Sequence, residues 1–282
     1  MAAPAPPKTE TRKRRRWPWV VGITVVVLAA LAAYGIWWFL KDDSPPPPTL
    51  AGALAGVSTT EASAETTGAV QTTIEAGVTE TTSAGAGTTG TVSSGVDGTW
   101  AVDTSLGEFS FDDATGSFVG FRLDEQLQGI GSAQAVGRTP AVEGTITIDG
   151  TTLTSADITA DLSQLTTNDS RRDSRARGAL DTNSFPEATF TLTGPVELSA
   201  DASGGQPISA TATGDLTIKG VTNSVTVALQ AQLNGDGTII AVVGSIPVVF
   251  ADYGVSVPSS PVVVSASDNG QIELQLLFTK QG

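Results

Sequence analysis

The chemistry open to a protein is bounded by the side chains it can bring together, and this chain of 282 residues has no histidine and no cysteine. A Ser-His-Asp triad, a thiolate nucleophile and the usual zinc sites are therefore excluded. Carboxylates remain, but Asp112-Asp113 and Asp124-Glu125 are sequence neighbours. On a strand, neighbouring side chains point to opposite faces, so neither pair converges on one substrate. Asp268-Asn269-Gly270 has the composition of a turn and lacks the ligand spacing of an EF-hand. A Ser-Lys pair would have to use Lys219 or Lys280, which the sequence places in a turn and at the terminus, both facing solvent. The inventory predicts no catalytic residue, no metal and no cofactor.

Positive charge is the other resource, and it is concentrated. From Val96 onward there are 22 acidic and 8 basic residues, and Arg171, Arg172, Arg175 and Arg177 lie within seven positions of one another. So acidic a region repels phosphate backbones, which argues against nucleic-acid binding. A guanidinium cluster can pair with an anionic lipid head group through bidentate hydrogen bonds. It can also be a solvated helix that neutralises an acidic surface, and the residues by themselves favour this simpler account. Arg138 presents the same choice.

The elements that must hold these residues are mostly strands. Trp100–Asp103, Glu108–Asp112, Ser117–Asp124, Gly144–Ile148, Leu153–Leu162, Thr211–Ile218, Val225–Leu233, Thr238–Phe250, Val262–Ala266 and Gln271–Thr279 are short segments, several alternating apolar with polar residues. Asp149-Gly150 and Asn234-Gly235-Asp236-Gly237 read as hairpin turns. The arginine cluster is the one helical interruption, with Asp169 or Ser170 as N-cap and with Asp173 and Arg177 spaced to pair across a turn. The absence of a βαβ rhythm excludes a parallel sheet. Eight or more antiparallel strands with one apolar face each make either a closed barrel with a ligand cavity or a sandwich with a filled core, and the alternation alone does not separate them.

Before this region the chain changes character twice. Trp17–Leu40 carries no charged residue and follows Lys8, Arg12, Lys13, Arg14, Arg15 and Arg16. It reads as a transmembrane helix with a basic cytoplasmic tail at 1–16 and the folded region outside the cytoplasm, favoured over a signal peptide cleaved at Ala30-Leu31-Ala32 because cleavage there would leave Tyr34–Leu40 as an apolar N-terminus. Its aromatic pairs, Trp17 and Trp19 against Trp37 and Trp38, are separated by roughly 29 Å along a helix, the thickness of a hydrocarbon core. From 41 to 97, prolines and then Thr, Ser, Ala and Gly predict a disordered stalk, whose flexible part would span on the order of 40 Å.

A family resemblance is carried by an ordered set of pieces: Gly98–Asp103, Ser117–Arg122, Ala135–Thr139, Arg172-Asp173, Phe185–Phe190, Gly214–Val221 and Phe250–Gly254. Together they resemble the YceI-like family of lipid-binding domains over essentially all of 98–282. The resemblance implies a lipocalin-like antiparallel β-barrel of about eight strands, partly closed by the helix, holding a polyisoprenoid-type lipid and non-catalytic. It makes Phe109, Phe118, Phe121, Phe190, Phe250 and Tyr253 candidates for the barrel lining. Arg138, Arg171, Arg172 and Arg175 become candidate head-group contacts. Many members of the family carry histidines in the first strand pair and in the Leu-Thr-x-x-Gly turn, where this chain has Lys219, so no imidazole role is expected. The expected protein is a membrane-tethered, extracytoplasmic lipid carrier. The alternative is a surface-displayed interaction domain with a filled core.

Overall fold

The computed structural model describes residues 27, 29–31, 34, 44–64, 95–128, 131–258 and 263–282, and the chain divides into two units, Met1–Asp42 and Asp43–Gly282. In the first unit Val27, Ala29, Ala30, Leu31 and Tyr34 are helical. Among the described residues no helix is long and apolar enough to cross a membrane. The span expected over Trp17–Leu40 otherwise lies outside the described residues, as does the stalk sequence from 65 to 94.

In the second unit helix α1 (Leu50–Ala64) precedes the strands β1 (Gly98–Val102), β2 (Phe118–Leu127), β3 (Gly131–Thr139), β4 (Val142–Asp149), β5 (Thr152–Asp161) and β6 (Thr166–Thr167). Helix α2 (Ser170–Leu180) comes next, and then β7 (Glu187–Leu192), β8 (Val196–Glu197), β9 (Ile208–Ile218), β10 (Val221–Leu233), β11 (Ile239–Val249), β12 (Val263–Ala266) and β13 (Asn269–Lys280). The strands β1, β4, β5, β7, β9, β10, β11 and β13 are paired in that order, all antiparallel, and β1 pairs with β13 to close the ring. Closure leaves these eight strands no free edge, and it resolves the choice between barrel and sandwich that alternation left open. Strand β13 is shared: its last residues pair with β1, and its first half pairs with β2, from which β3 and β6 continue.

Hairpin turns set the register. Lys219 and Gly220 join β9 to β10 with φ of 52° and 74°, the positive pair that a two-residue turn of matching twist requires. Along β10 the pleat then sends Val227, Leu229, Ala231 and Leu233 to the interior. Strand β3 was not expected, because its small and polar residues hide the alternation. The strand expected over Glu108–Asp112 is a loop instead, and its Phe109 packs on Phe118 with ring centroids 6.3 Å apart on the outside of the barrel.

The disordered stalk expected over 41–97 does not hold for 44–57. There an extended segment and the first turns of α1 pack on the barrel wall. Leu50, Ala53, Leu54 and Val57 share one helical face, and Ala53 and Val57 are buried against Ile239, Ala241, Val243 and Leu277. Strand β11 is thus covered on both sides, which explains why Ile239–Val243 is continuously apolar rather than alternating.

Candidate functional site

The barrel encloses a cavity of about 190 Å³. Of its lining side chains only those of Thr189 and Gln232 are polar, and Gln232 already donates to the Gly205 carbonyl at 3.0 Å. The space exists because alanines stand at inward positions of β5, β9 and β10, among them Ala156, Ala160, Ala210, Ala212 and Ala231. Dry apolar cavities of about 150 Å³ accept a benzene-sized guest, whereas pockets for drug-sized ligands run from about 300 Å³ upward. This volume therefore suits a slender hydrocarbon segment, not a bulky polar molecule.

Each end of the cavity is closed by non-barrel elements. At one end Leu162, Leu165 and Leu180 reach the cavity from the turn after β5 and from α2, forming a lid. At the other end Val96, Leu198 and Ala202 form a floor, beside which Trp100 is fully buried and donates its indole N–H to the Val96 carbonyl at 2.8 Å. The lid helix is capped at its start by Asp169, which accepts from the Arg171 amide, and it ends at Asp181 in the left-handed region. The expected Asp173–Arg177 pair is not formed. Asp173 instead accepts from the amide and hydroxyl of Thr167, and Arg177 donates to the Leu165 carbonyl at 2.7 Å, so both residues tie the lid to the barrel. Lys219, expected to face solvent, donates to the carbonyls of Ala179 and Gly254 at 3.0 and 2.9 Å and holds the other end of the helix.

The candidate aromatics divide. Phe121 and Phe190 lie on the cavity wall. Phe121 stacks over Gly137 and Phe190 over Gly214, where an added Cβ would come within 2.4 and 2.3 Å of the rings, so glycine is what lets each ring lie against the sheet. Phe118 and Phe109 are outside the barrel, with Phe118 beneath the Arg138 guanidinium at 4.5 Å. Tyr253 is buried and Phe250 half-buried in the cluster beside the lid, and neither lines the cavity. Burial pushes the Tyr253 hydroxyl above its ordinary range, with Asn223 partly opposing.

The candidate head-group arginines divide as well. Arg138 is on the outer wall, 2% exposed, where it and Arg122 share the buried carboxylate of Glu273 at 3.8 and 2.6 Å; it cannot reach a ligand in the bore. Arg171 is exposed and pairs with Asp169 at 3.0 Å, and its hydrogen bonds hold that carboxyl below the usual range. Arg175 lies on the exposed face of α2. Arg172 is half-buried and reaches Glu125 of β2 at 3.2 Å. Sequence reasoning missed Glu125, Glu273 and the three lid leucines. The leucines carried the available signal, since Leu165 breaks the period of two that Ile158, Ala160 and Leu162 keep.

Comparison with known proteins adds a family. Residues 100–278 match the YceI-like domain family. Two curated relatives called Protein YceI, from Shigella flexneri and Escherichia coli, are each 34% identical over 125 residues, covering 43% of this chain and 58% of the relative. The chain thus spans less than two thirds of their length. Among solved structures, BcnA of Burkholderia cenocepacia is 23% identical with a TM-score of 0.43, covering 57% of this chain and 95% of its own. A polyisoprenoid binding domain from Saccharophagus degradans, implicated in plant cell wall breakdown, is 17% identical with a TM-score of 0.47, covering 65% and 98%.

Proposed function

This chain belongs to the YceI-like domain family, and from that premise we propose that it holds or carries a polyisoprenoid-type lipid in its barrel without transforming it. The observation that carries the reading is the apolar cavity inside the barrel, whose lining offers contact to hydrocarbon and almost no polar group to orient a reacting centre. The branched, unsaturated chain of a prenyl lipid matches that lining better than any charged metabolite, because burying a charge there without a partner is prohibitive. Mass spectrometry of organic extracts of the purified full chain is expected to recover a prenyl lipid in near-stoichiometric amount. Protein that co-purifies with no apolar ligand would favour the alternative, an interaction domain with a filled core.

The proposal extends to location. The basic flank followed by the uncharged stretch Trp17–Leu40 supports a single-pass anchor with the barrel on the extracytoplasmic side. Protease added outside intact cells should release a soluble barrel by cutting between Asp42 and Gly95. Release only after lysis would place the barrel inside.

A further inference from the structure

The outer wall of the barrel carries a second arrangement that the lipid reading does not use. Arg122 and Arg138, 8% and 2% exposed, are pinned side by side by Glu273. Arg122 Nη1 donates to Gln134 at 2.7 Å and Arg138 Nη1 to the Phe111 carbonyl at 3.0 Å. Each then has its Nη2 turned to the chain crossing above: Arg122 donates to the Pro45 carbonyl at 2.7 Å and Arg138 to the Pro46 carbonyl at 2.8 Å. Two successive carbonyls of one extended segment are read by two fixed guanidinium groups.

The chemistry explains why that segment is proline. An arginine presents donors and no acceptor. A backbone laid across two arginines does best to offer carbonyls, to which both guanidinium groups can donate. Pro45, Pro46, Pro47 and Pro48 have no N–H, and the polyproline conformation leaves their carbonyls without internal hydrogen bonds. The two guanidinium groups offer the segment donors, and its prolines offer only acceptors.

The helix beyond the prolines completes the contact. Helix α1 lays Ala53 and Val57 on Ile239, Ala241, Val243 and Leu277. Gly56 passes so close to Thr115 that a Cβ there would meet the Thr115 side chain at 2.5 Å. None of this segment pairs with a strand. The hydrogen bonds from Arg122 and Arg138 and the apolar face of Ala53 and Val57 work against the ordering of about fourteen residues. A segment outside the strand ladder can open without unfolding what it covers.

We propose that the outer wall of β2, β3, β13 and β11 is a recognition site for a proline-rich segment followed by a small-residue helix, and that residues 44–57 of the same chain occupy it as a dissociable strap. Docked, the strap ties the barrel to the preceding chain at Pro45. Released, the tie moves to Val96, about fifty residues along, and the apolar face of β11 is uncovered. The strap thereby sets the length of the barrel's tether. Only that last consequence rests on the anchor proposed above; the docking itself does not.

The test is hydrogen exchange read by mass spectrometry on the full chain in detergent, comparing α1 amides with the β10–β11–β13 ladder. In the wild type, α1 is expected to exchange at least 100-fold faster than the ladder, reflecting its own opening. Replacing Pro45 to Pro48 by Gly-Ser-Gly-Ser, and separately Gly56→Ala, should speed α1 exchange a further tenfold or more while ladder amides stay unchanged, which also verifies that the barrel is folded. Exchange of α1 at the ladder rate would make it an integral part of the barrel and overturn the proposal, as would strap variants with wild-type protection. Protection that rises with protein concentration would assign the site to a second copy's strap and overturn the intramolecular assignment.

Discussion

Glu125 is 6% exposed, and its only ion-pair partner among the described residues is Arg172 at 3.2 Å. Burial raises its carboxyl above the ordinary range, with Arg172 pulling part of the way back. The protonated form is thus favoured by folding. The contribution to stability is fully present below the unfolded value of about 4.3 and is lost as pH rises through the raised folded value. Glu125→Gln removes this titration. Urea midpoints measured from pH 4 to 8 should show the variant gaining on the wild type as pH rises, and the reverse trend would mean that Arg172 outweighs the loss of hydration. The parity of the aromatics was legible at this scale. Phe118 and Phe121, three apart on one strand, must face opposite sides. Which side was the bore was not legible, because that depends on strand order.

At the scale of elements, the proposed lipid carriage turns on the lid. Helix α2 has no fully buried residue and is held by polar ties, from its own Arg172, Asp173 and Arg177 and from Lys219 at its far end. Lysine at φ 52° is in a region that side chains other than Gly, Asn and Asp rarely occupy. Its two hydrogen bonds to Ala179 and Gly254 account for its place there. Lys219→Asn keeps the turn conformation and removes both bonds. Global stability should fall by only about 1 kcal/mol, while release of a bound prenyl lipid, followed by stopped-flow fluorescence, should accelerate severalfold. Unchanged release would mean that ligand leaves by another route. The lid helix itself was readable, since Asp169 and the charged run mark it. Helix α1 was not read, although Leu50, Ala53, Leu54 and Val57 have helical spacing; so many Ala, Gly and Thr surround them that composition resembled a stalk.

At the largest scale, closure of the ring converts eight strands, each with an apolar face, into a bore. Alternation told which strands had an apolar face, and the family resemblance told that they close. The volume of the bore was beyond both, because it depends on which inward positions are alanine once the register is known. At about 190 Å³ the cavity is modest. Each methylene transferred from water contributes about 0.8 kcal/mol, roughly a fourfold gain in affinity, until the space is full. By comparison with the benzene-sized guest of a 150 Å³ cavity, filling takes about two isoprene units.

The most direct measurement is therefore calorimetric titration of the unit Asp43–Gly282 with prenyl alcohols from one isoprene unit upward. The account predicts saturable binding at one site per barrel, with affinity rising at least tenfold from one unit to two and levelling off soon after. A response that is flat with length, or no binding at any length, would mean that the cavity does not take up a prenyl chain and would contradict it.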